Sequence, residues 1–420
     1  MNPEAVPETV ERLNRTVRLL FATRIVRLFG YGLMSVVLVL HLSASGLAES
    51  QIGLLLTLTL LGDAAISLYI TTRADRIGRR RMLLASAALM ILAGVTFAST
   101  RSFLLLLMAA TVGVISPSGN EVGPFLAVEQ AALSQAIPAQ RRTGVFAWYN
   151  LVGSFATALG SLCGGTLAEV LQGCGLTTLA SYQTVAAVYA TVGAALIVLF
   201  AQLSSAAESN RDAVANAKPA GVTLHFGMQT SRNKVLKLAG LFSIDAFAGG
   251  FVVQAFVAYW FAQRFAVSPS LLGGIFFAAN ILAGLSALSA SYLARRIGLL
   301  ATMVATHLPS NVLLLLVPLM PNLWLAIGVL LLRFSISQMD VPTRQAYTMA
   351  LVPPAERSAA AGVTGIARTL GAALSPIAAG PLYASAALAS IPFFLGGGLK
   401  VIYDLLVWRS FNKVKIDLGQ

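Results

Sequence analysis

The chain has 420 residues, 57% of them hydrophobic and only 11% charged, with a net charge of +13. That composition excludes a soluble globular protein, and the length is too great for one core. The positive balance is accounted for by loop topology, so no nucleic-acid partner is expected.

Apolar stretches of about 20 residues recur along the chain, each long enough to cross ~30 Å of hydrocarbon. Long continuous runs dominate over dyad alternation, which argues for helices rather than a β-barrel. Hydropathy and turn signals predict an all-α polytopic membrane protein with twelve helices, at 17–42, 49–71, 82–99, 103–136, 143–167, 181–203, 236–262, 269–293, 299–319, 322–351, 358–383 and 386–409. The N-terminal "MNPEAVPETVERLNRTVRLL" starts acidic and polar, so no cleavable signal is expected.

The first span, "FATRIVRLFGYGLM" at 21–34, carries Arg24 and Arg27. Counting ~1.5 Å per residue from Val17 places Arg27 near the bilayer midplane. A buried charge there needs a partner, and Asp63, Glu121 or a substrate are the expected ones. Arg24 is shallower and could reach back to the cytoplasmic surface. Between spans two and three lies "RADRIGRRRM", 73–82. Span four is interrupted by "SPSGNEVGP", 116–124, whose Pro117, Gly119 and Pro124 weaken helical hydrogen bonding around Glu121. Span five carries "ATALGSLCGG", and span eleven carries "GAALSPIAAG", both spaced for close helix approach. The two cysteines, Cys163 and Cys174, suggest neither a metal site nor a disulfide framework.

The polar stretch 204–235 divides the chain into six-helix bundles at 1–203 and 236–420. Loop lysines and arginines collect on the side of this linker, and Arg101 and Arg264 are left on the other. Both termini are therefore expected to be cytoplasmic. The halves overlay. A shift of 220 pairs Gly30 with Gly250, Arg76 with Arg296 and Gly78 with Gly298, while a shift of 215 pairs Gln130 with Gln345 and Arg142 with Arg357. Such a duplication predicts a binding site between the halves near the midplane.

Ionisable residues inside the spans also include Asp245, Arg333, Asp340 and Arg368. Arg333 and Arg368 have few acids at their depth, and guanidinium forks suit oxyanions, so they point to an anionic or carboxylate-bearing substrate. Glu121, Asp63 and Asp245 are the candidate proton carriers, in that order. Gln254, Asn280 and Gln338 are possible polar contacts for a substrate. Lys400 and Asp404, four residues apart on the last span, read as a structural pair.

Asp75, Arg76, Gly78, Arg79 and Arg80 match the D-R-x-G-R-[RK] pattern of the major facilitator superfamily, with Thr71 where that pattern has glycine. With twelve spans and a central linker, the chain resembles this family over nearly its whole length. The resemblance implies a secondary transporter working by alternating access, with a cytoplasmic gate formed by Asp75, Arg76, Gly78 and Arg79. In it Glu129 pairs with Arg79, and Arg344 takes the corresponding place in the second half. "ATALGSLCGG" (Gly160, Gly164, Gly165) and "GAALSPIAAG" (Gly371, Pro376, Gly380) are similar to the G-x-x-x-G-P-x-x-G-G pattern of the family's proton-coupled exporters. Efflux of a small organic compound against protons is the leading expectation, with an anion as the substrate class to which the arginines point. The alternatives are proton-coupled import of an organic anion and a non-transporting receptor or assembly protein. No enzyme activity and no cofactor are expected, since no nucleophile–base set and no P-loop is present. The expected setting is a monomer in the cell (inner or plasma) membrane, with the lipid bilayer, a small molecule and protons as partners.

Overall fold

A computed structural model describes residues 5–120, 123, 125–138, 142–203, 231–353 and 356–414. Of these, the side chains of 5–14, 71–73, 75, 76, 142, 143 and 358 are not described. Glu121 and most of the 204–235 linker therefore lie outside the described residues, as do the side chains of Asp75 and Arg76.

The first half comprises α1 (Ala5–Ala44), α2 (Glu49–Ile77), α3 (Arg79–Ser99), α4 (Phe103–Val112), α5 (Phe125–Ala136), α6 (Arg142–Gly173) and α7 (Thr178–Ala201). The second comprises α8 (Arg232–Gly250), α9 (Gln254–Phe265), α10 (Pro269–Ile297), α11 (Leu299–Leu316), α12 (Leu323–Ser337), α13 (Asp340–Ala350), α14 (Arg357–Tyr383) and α15 (Ile391–Phe411). Ten segments among the described residues are long and apolar enough to cross a bilayer. The broken fourth span (α4 and α5) and the eleventh (α14) complete the twelve.

Three spans are broken. The fourth breaks between Val112 and Phe125, where the sequence places its prolines and glycines. The seventh breaks after Gly249 and Gly250, and the tenth at Gln338 and Met339. The break in the seventh corrects the expectation of a continuous helix over 236–262; the break in the tenth divides a stretch, 322–351, that is too long for one straight span. In the tenth, Pro342 explains the break. It is tolerated in the first turn of α13, but its ring would clash with the carbonyl of residue 338 in a continuous helix.

Gly78 between α2 and α3 has φ 115°, and Gly298 between α10 and α11 has φ 87°. Both lie where L side chains are strained. The glycines paired by the 220-residue shift thus make the same kind of turn in each half.

By proximity the chain falls into two compact units. One gathers Met1–Leu47, Leu58–Pro219 and Ser268–Phe277; the other gathers Ala48–Thr57, Ala220–Val267 and Ala278–Gln420. In the first, α1 packs along α6 and α7, and α3 along α7. In the second, α8 packs along α14 and α15, and α11 along α15. Val235, Leu238, Phe242, Met303, Tyr347 and Tyr403 form an apolar layer beside the charged residues of that unit.

Candidate functional site

In the first unit, Arg27 is fully buried on α1. Its Nη1 and Nη2 donate to Oε1 and Oε2 of Glu129 on α5, each at 2.7 Å. Glu129 is itself fully buried and also accepts from Thr23 Oγ1 at 2.7 Å and from the Tyr149 hydroxyl. The face of Arg27 covers Phe125, 4.8 Å from the ring centroid. This is a bidentate pair with its remaining acceptor sites filled, the one geometry in which a buried ion pair repays its desolvation.

Glu129, which the sequence assigns to Arg79, is a partner of Arg27 that was not expected; the expectation for Glu121 falls outside the described residues. Asp63 is half-buried on α2. Glu129, in turn, is not the partner of Arg79, whose Nη1 donates to Gln135 at 2.8 Å. The i, i+4 step along α1 and the turns of α5 put Arg27 and Glu129 on facing sides, whereas Gln135 sits nearly two turns beyond Glu129. Arg24 does not extend to a surface. Its Nε donates to the Tyr149 carbonyl at 2.7 Å, its Nη2 to Asn150 at 3.2 Å, and it stacks on the Tyr149 ring.

In the second unit, Asp245 on α8 is 2% exposed and is the hub of a larger cluster. Its Oδ2 accepts from Arg344 Nη1 on α13 and from Arg368 Nη1 on α14, both at 3.1 Å. Its Oδ1 accepts from Lys400 Nζ on α15 at 2.5 Å and faces His307 Nε2 on α11 at 3.7 Å. Arg344 Nη1 also donates to Asp340 at 2.8 Å. Arg333 has a buried Nε without a hydrogen-bond partner, and its guanidinium lies 5.1 Å from the Phe334 ring centroid.

Two further readings are corrected here. Arg344 is not at a gate surface; it is buried among Asp245, Asp340 and the Phe242 ring. Lys400 and Asp404 are not a pair with each other. Lys400 turns to Asp245, and Asp404 turns to His307 and Asn311. His307 was missed altogether. Its signal was there, because His307 and Asn311 stand four residues apart in an apolar span, as Lys400 and Asp404 do in another.

Among the remaining predicted residues, Asn280 donates to Gln254 at 3.2 Å, and both are buried. Gln338 sits half-buried at the break of the tenth span. A Cβ on Gly160 would meet the Phe29 carbonyl at 1.9 Å, and one on Gly371 the Ser243 carbonyl at 2.4 Å. Gly164, Gly165 and Gly380 also lie against neighbouring backbone, and Pro376 is inside α14. Gly160 and Gly164 let α6 approach α1 closely, and Gly371 does the same for α14 against α8.

A family model described as Major Facilitator Superfamily matches residues 20–408. An uncharacterized membrane protein of Saccharomyces cerevisiae is 32% identical over 426 residues, covering 95% of this chain and 94% of that one. The quinolone resistance protein NorA of Staphylococcus aureus is 24% identical over 158 residues, 38% of this chain and 39% of its own. Among solved structures, the nucleoside transporter NupG superposes with a TM-score of 0.73 at 14% identity, covering 95% of this chain and 100% of that one. A D-xylose-proton symporter superposes at 0.71 and 15% identity, covering 94% and 97%. At such identities these structures carry the fold alone. Through the family match and the twelve-span fold, the chain is a member of the major facilitator superfamily, an integral membrane transporter and not an enzyme.

Proposed function

We propose that this transporter moves a small organic anion, coupled to protons, with the anion's carboxylate received by Arg368 and Arg333 beside Asp245. The observation that carries this reading is a count of charge. Among the described residues the cluster holds four formal cations, Arg333, Arg344, Arg368 and Lys400, against three acids, Asp245, Asp340 and Asp404. A surplus cation in an apolar span is costly unless an anion arrives to meet it. Arg368 is the member placed to receive one. Its side chain is 33% exposed, and it engages Asp245 through Nη1 alone, so the rest of its fork is open to an oxyanion. Asp245 is the member of the sequence-predicted proton carriers that this cluster supports.

We assign the direction as outward, in a cell membrane with both termini cytoplasmic. Support comes from the small-residue stripes at Gly160 and Gly371, similar to those of proton-coupled exporters, and from the partial likeness to a quinolone resistance protein. Uptake is the second reading. The cation surplus favours it, because a site that gains an anion can gain a proton in the same step, as symport requires. Reconstituted vesicles with a pH gradient of either polarity, screened with labelled carboxylates and a fluoroquinolone, test both. Carboxylate movement driven by the gradient is expected, and Arg368→Gln should lower it tenfold or more. No carboxylate flux under either polarity overturns the reading. So does an equal loss of flux for neutral compounds in the variant.

A further inference from the structure

His307 lies between two carboxylates. It is 5% exposed on α11. Its Nδ1 is 2.8 Å from Asp404 Oδ1, and Asn311, one turn on, donates to Asp404 Oδ2 at 2.9 Å. Its Nε2 faces Asp245 Oδ1 at 3.7 Å, the same oxygen that Lys400 holds. The Tyr403 ring closes the side of the imidazole edge-on, 5.8 Å between centroids. Asn311 Nδ2 also lies 3.1 Å from Nδ1, but it donates to Asp404 Oδ2; with Asp404 ionised and so only accepting, the shorter 2.8 Å contact calls for a proton on Nδ1. The Nε2 lone pair is then aimed at a second ionised oxygen, which is repulsive until a proton fills it.

We propose that His307, with Asp404 as its positioning residue, is a proton-binding site of this transporter, separate from the acids that the sequence singles out. A hydronium ion gives its proton to the Nε2 lone pair: one O–H bond breaks, one N–H bond forms and water leaves, the hydrogen bond from Nδ1–H to Asp404 persists, and the ring passes from neutral to singly positive. The imidazolium then competes with Lys400 for Asp245 Oδ1 while Arg344 and Arg368 share Oδ2. The charged and titratable groups around the ring are Asp245 from α8, Asp404, Lys400 and Tyr403 from α15, and, through Asp245, Asp340 and Arg344 from α13 and Arg368 from α14. Arg333 on α12 adds a further cation to the same field. An imidazolium is thus a fifth cation beside three acids. It is held best when an anion enters, which ties proton loading to substrate loading and rests, for that use, on the anion reading above.

The test is nitrogen and carbon NMR of the full chain in lipid nanodiscs, with labelled histidine, between pH 9 and pH 5. The chain has three histidines, His41, His225 and His307, and His307→Gln assigns the signal. At pH 9 the neutral ring with hydrogen on Nδ1 is expected. By pH 5 a second proton on Nε2 is expected, with Nδ1–H present throughout. Asp404→Asn should move most of the neutral population to the Nε2–H tautomer. An Nε2–H tautomer in the wild type at pH 9, or no second proton by pH 5, overturns the proton site. An unchanged tautomer in Asp404→Asn overturns the positioning role. The wild-type spectra decide the first point even if the variant does not fold. No transported compound is used, so absent carboxylate flux with an intact His307 titration breaks the anion reading and spares this one.

Discussion

The two charged clusters occupy related places in the two halves, with cation and anion exchanged between the helices of the bridge. In the first unit the cation is on α1 (Arg27) and the anion on the broken fourth span (Glu129). In the second the anion is on α8 (Asp245) and a cation on the broken tenth span (Arg344). The 215-residue shift pairs Glu129 with Arg344. The duplication has therefore kept the helix-to-helix bridge and inverted its charge. The two differ in closure. Glu129 meets one cation in a bidentate fork with two hydroxyls completing its shell. Asp245 meets Arg344, Arg368 and Lys400, with His307 nearby, and no fork is fully used. A closed neutral pair stabilises a bundle, and an unbalanced, partly open cluster can respond to a ligand.

Removing one partner of the closed pair tests this difference most severely. Glu129→Leu takes from Arg27 both hydrogen bonds of its fork and the carboxylate that meets it there, and a loss of about 3–5 kcal/mol is expected. Thermal unfolding in detergent measures it. The double variant Arg27→Leu with Glu129→Leu should recover most of the loss. A double variant as unstable as the single one would mean the pair does more than neutralise itself.

Tyr149→Phe is a milder probe of the same shell. It removes the hydroxyl that donates to Glu129 but keeps the ring on which Arg24 stacks. A hydrogen bond to a charged group contributes roughly 1.5–3 kcal/mol, so a loss in that range should appear in the same unfolding assay. A loss far below it would assign the shell of Glu129 to Thr23 alone.

The second cluster should behave in the opposite way. Arg368→Gln is expected to cost less than about 1 kcal/mol, because the side chain is one-third exposed and Asp245 retains Arg344 and Lys400. Carboxylate flux should fall tenfold or more in the same variant. A stability loss as large as that of Glu129→Leu would make the second cluster structural too. Arg333→Met should have the smallest effect on stability, within about 0.5 kcal/mol of the wild type, because it removes an unsatisfied buried Nε and fills the space with a flexible apolar chain. Its readout is carboxylate binding, which should weaken more than binding of neutral compounds.

Much of the fold was legible in the chain, because the signals that specify it are local. Hydropathy over about 20 residues marks a span, and the run "SPSGNEVGP" marks the break of the fourth. Pro342 offered a similar signal in the tenth, where the apolar "LWLAIGVLLLRFSIS" gives way to the polar "DVPTRQAYTMA". The seventh span breaks at a glycine pair with no proline, and only its backbone revealed this.

The charged residues divide in the same way. Their presence in the spans, the matched glycines at 78 and 298 and the close-packing stripes at 160 and 371 were set by sequence alone. Their partners were decided by tertiary structure. Arg27 and Glu129 are 102 residues apart, and Lys400 and Asp245 are 155 apart. Depth along a helix can be counted from the sequence, but facing direction depends on how each helix is rotated and how closely its neighbour approaches. A turn of one helix by a single residue, about 100°, would have given Arg27 another partner. Packing fixed that rotation, and with it which charges closed on each other and which were left open around Asp245.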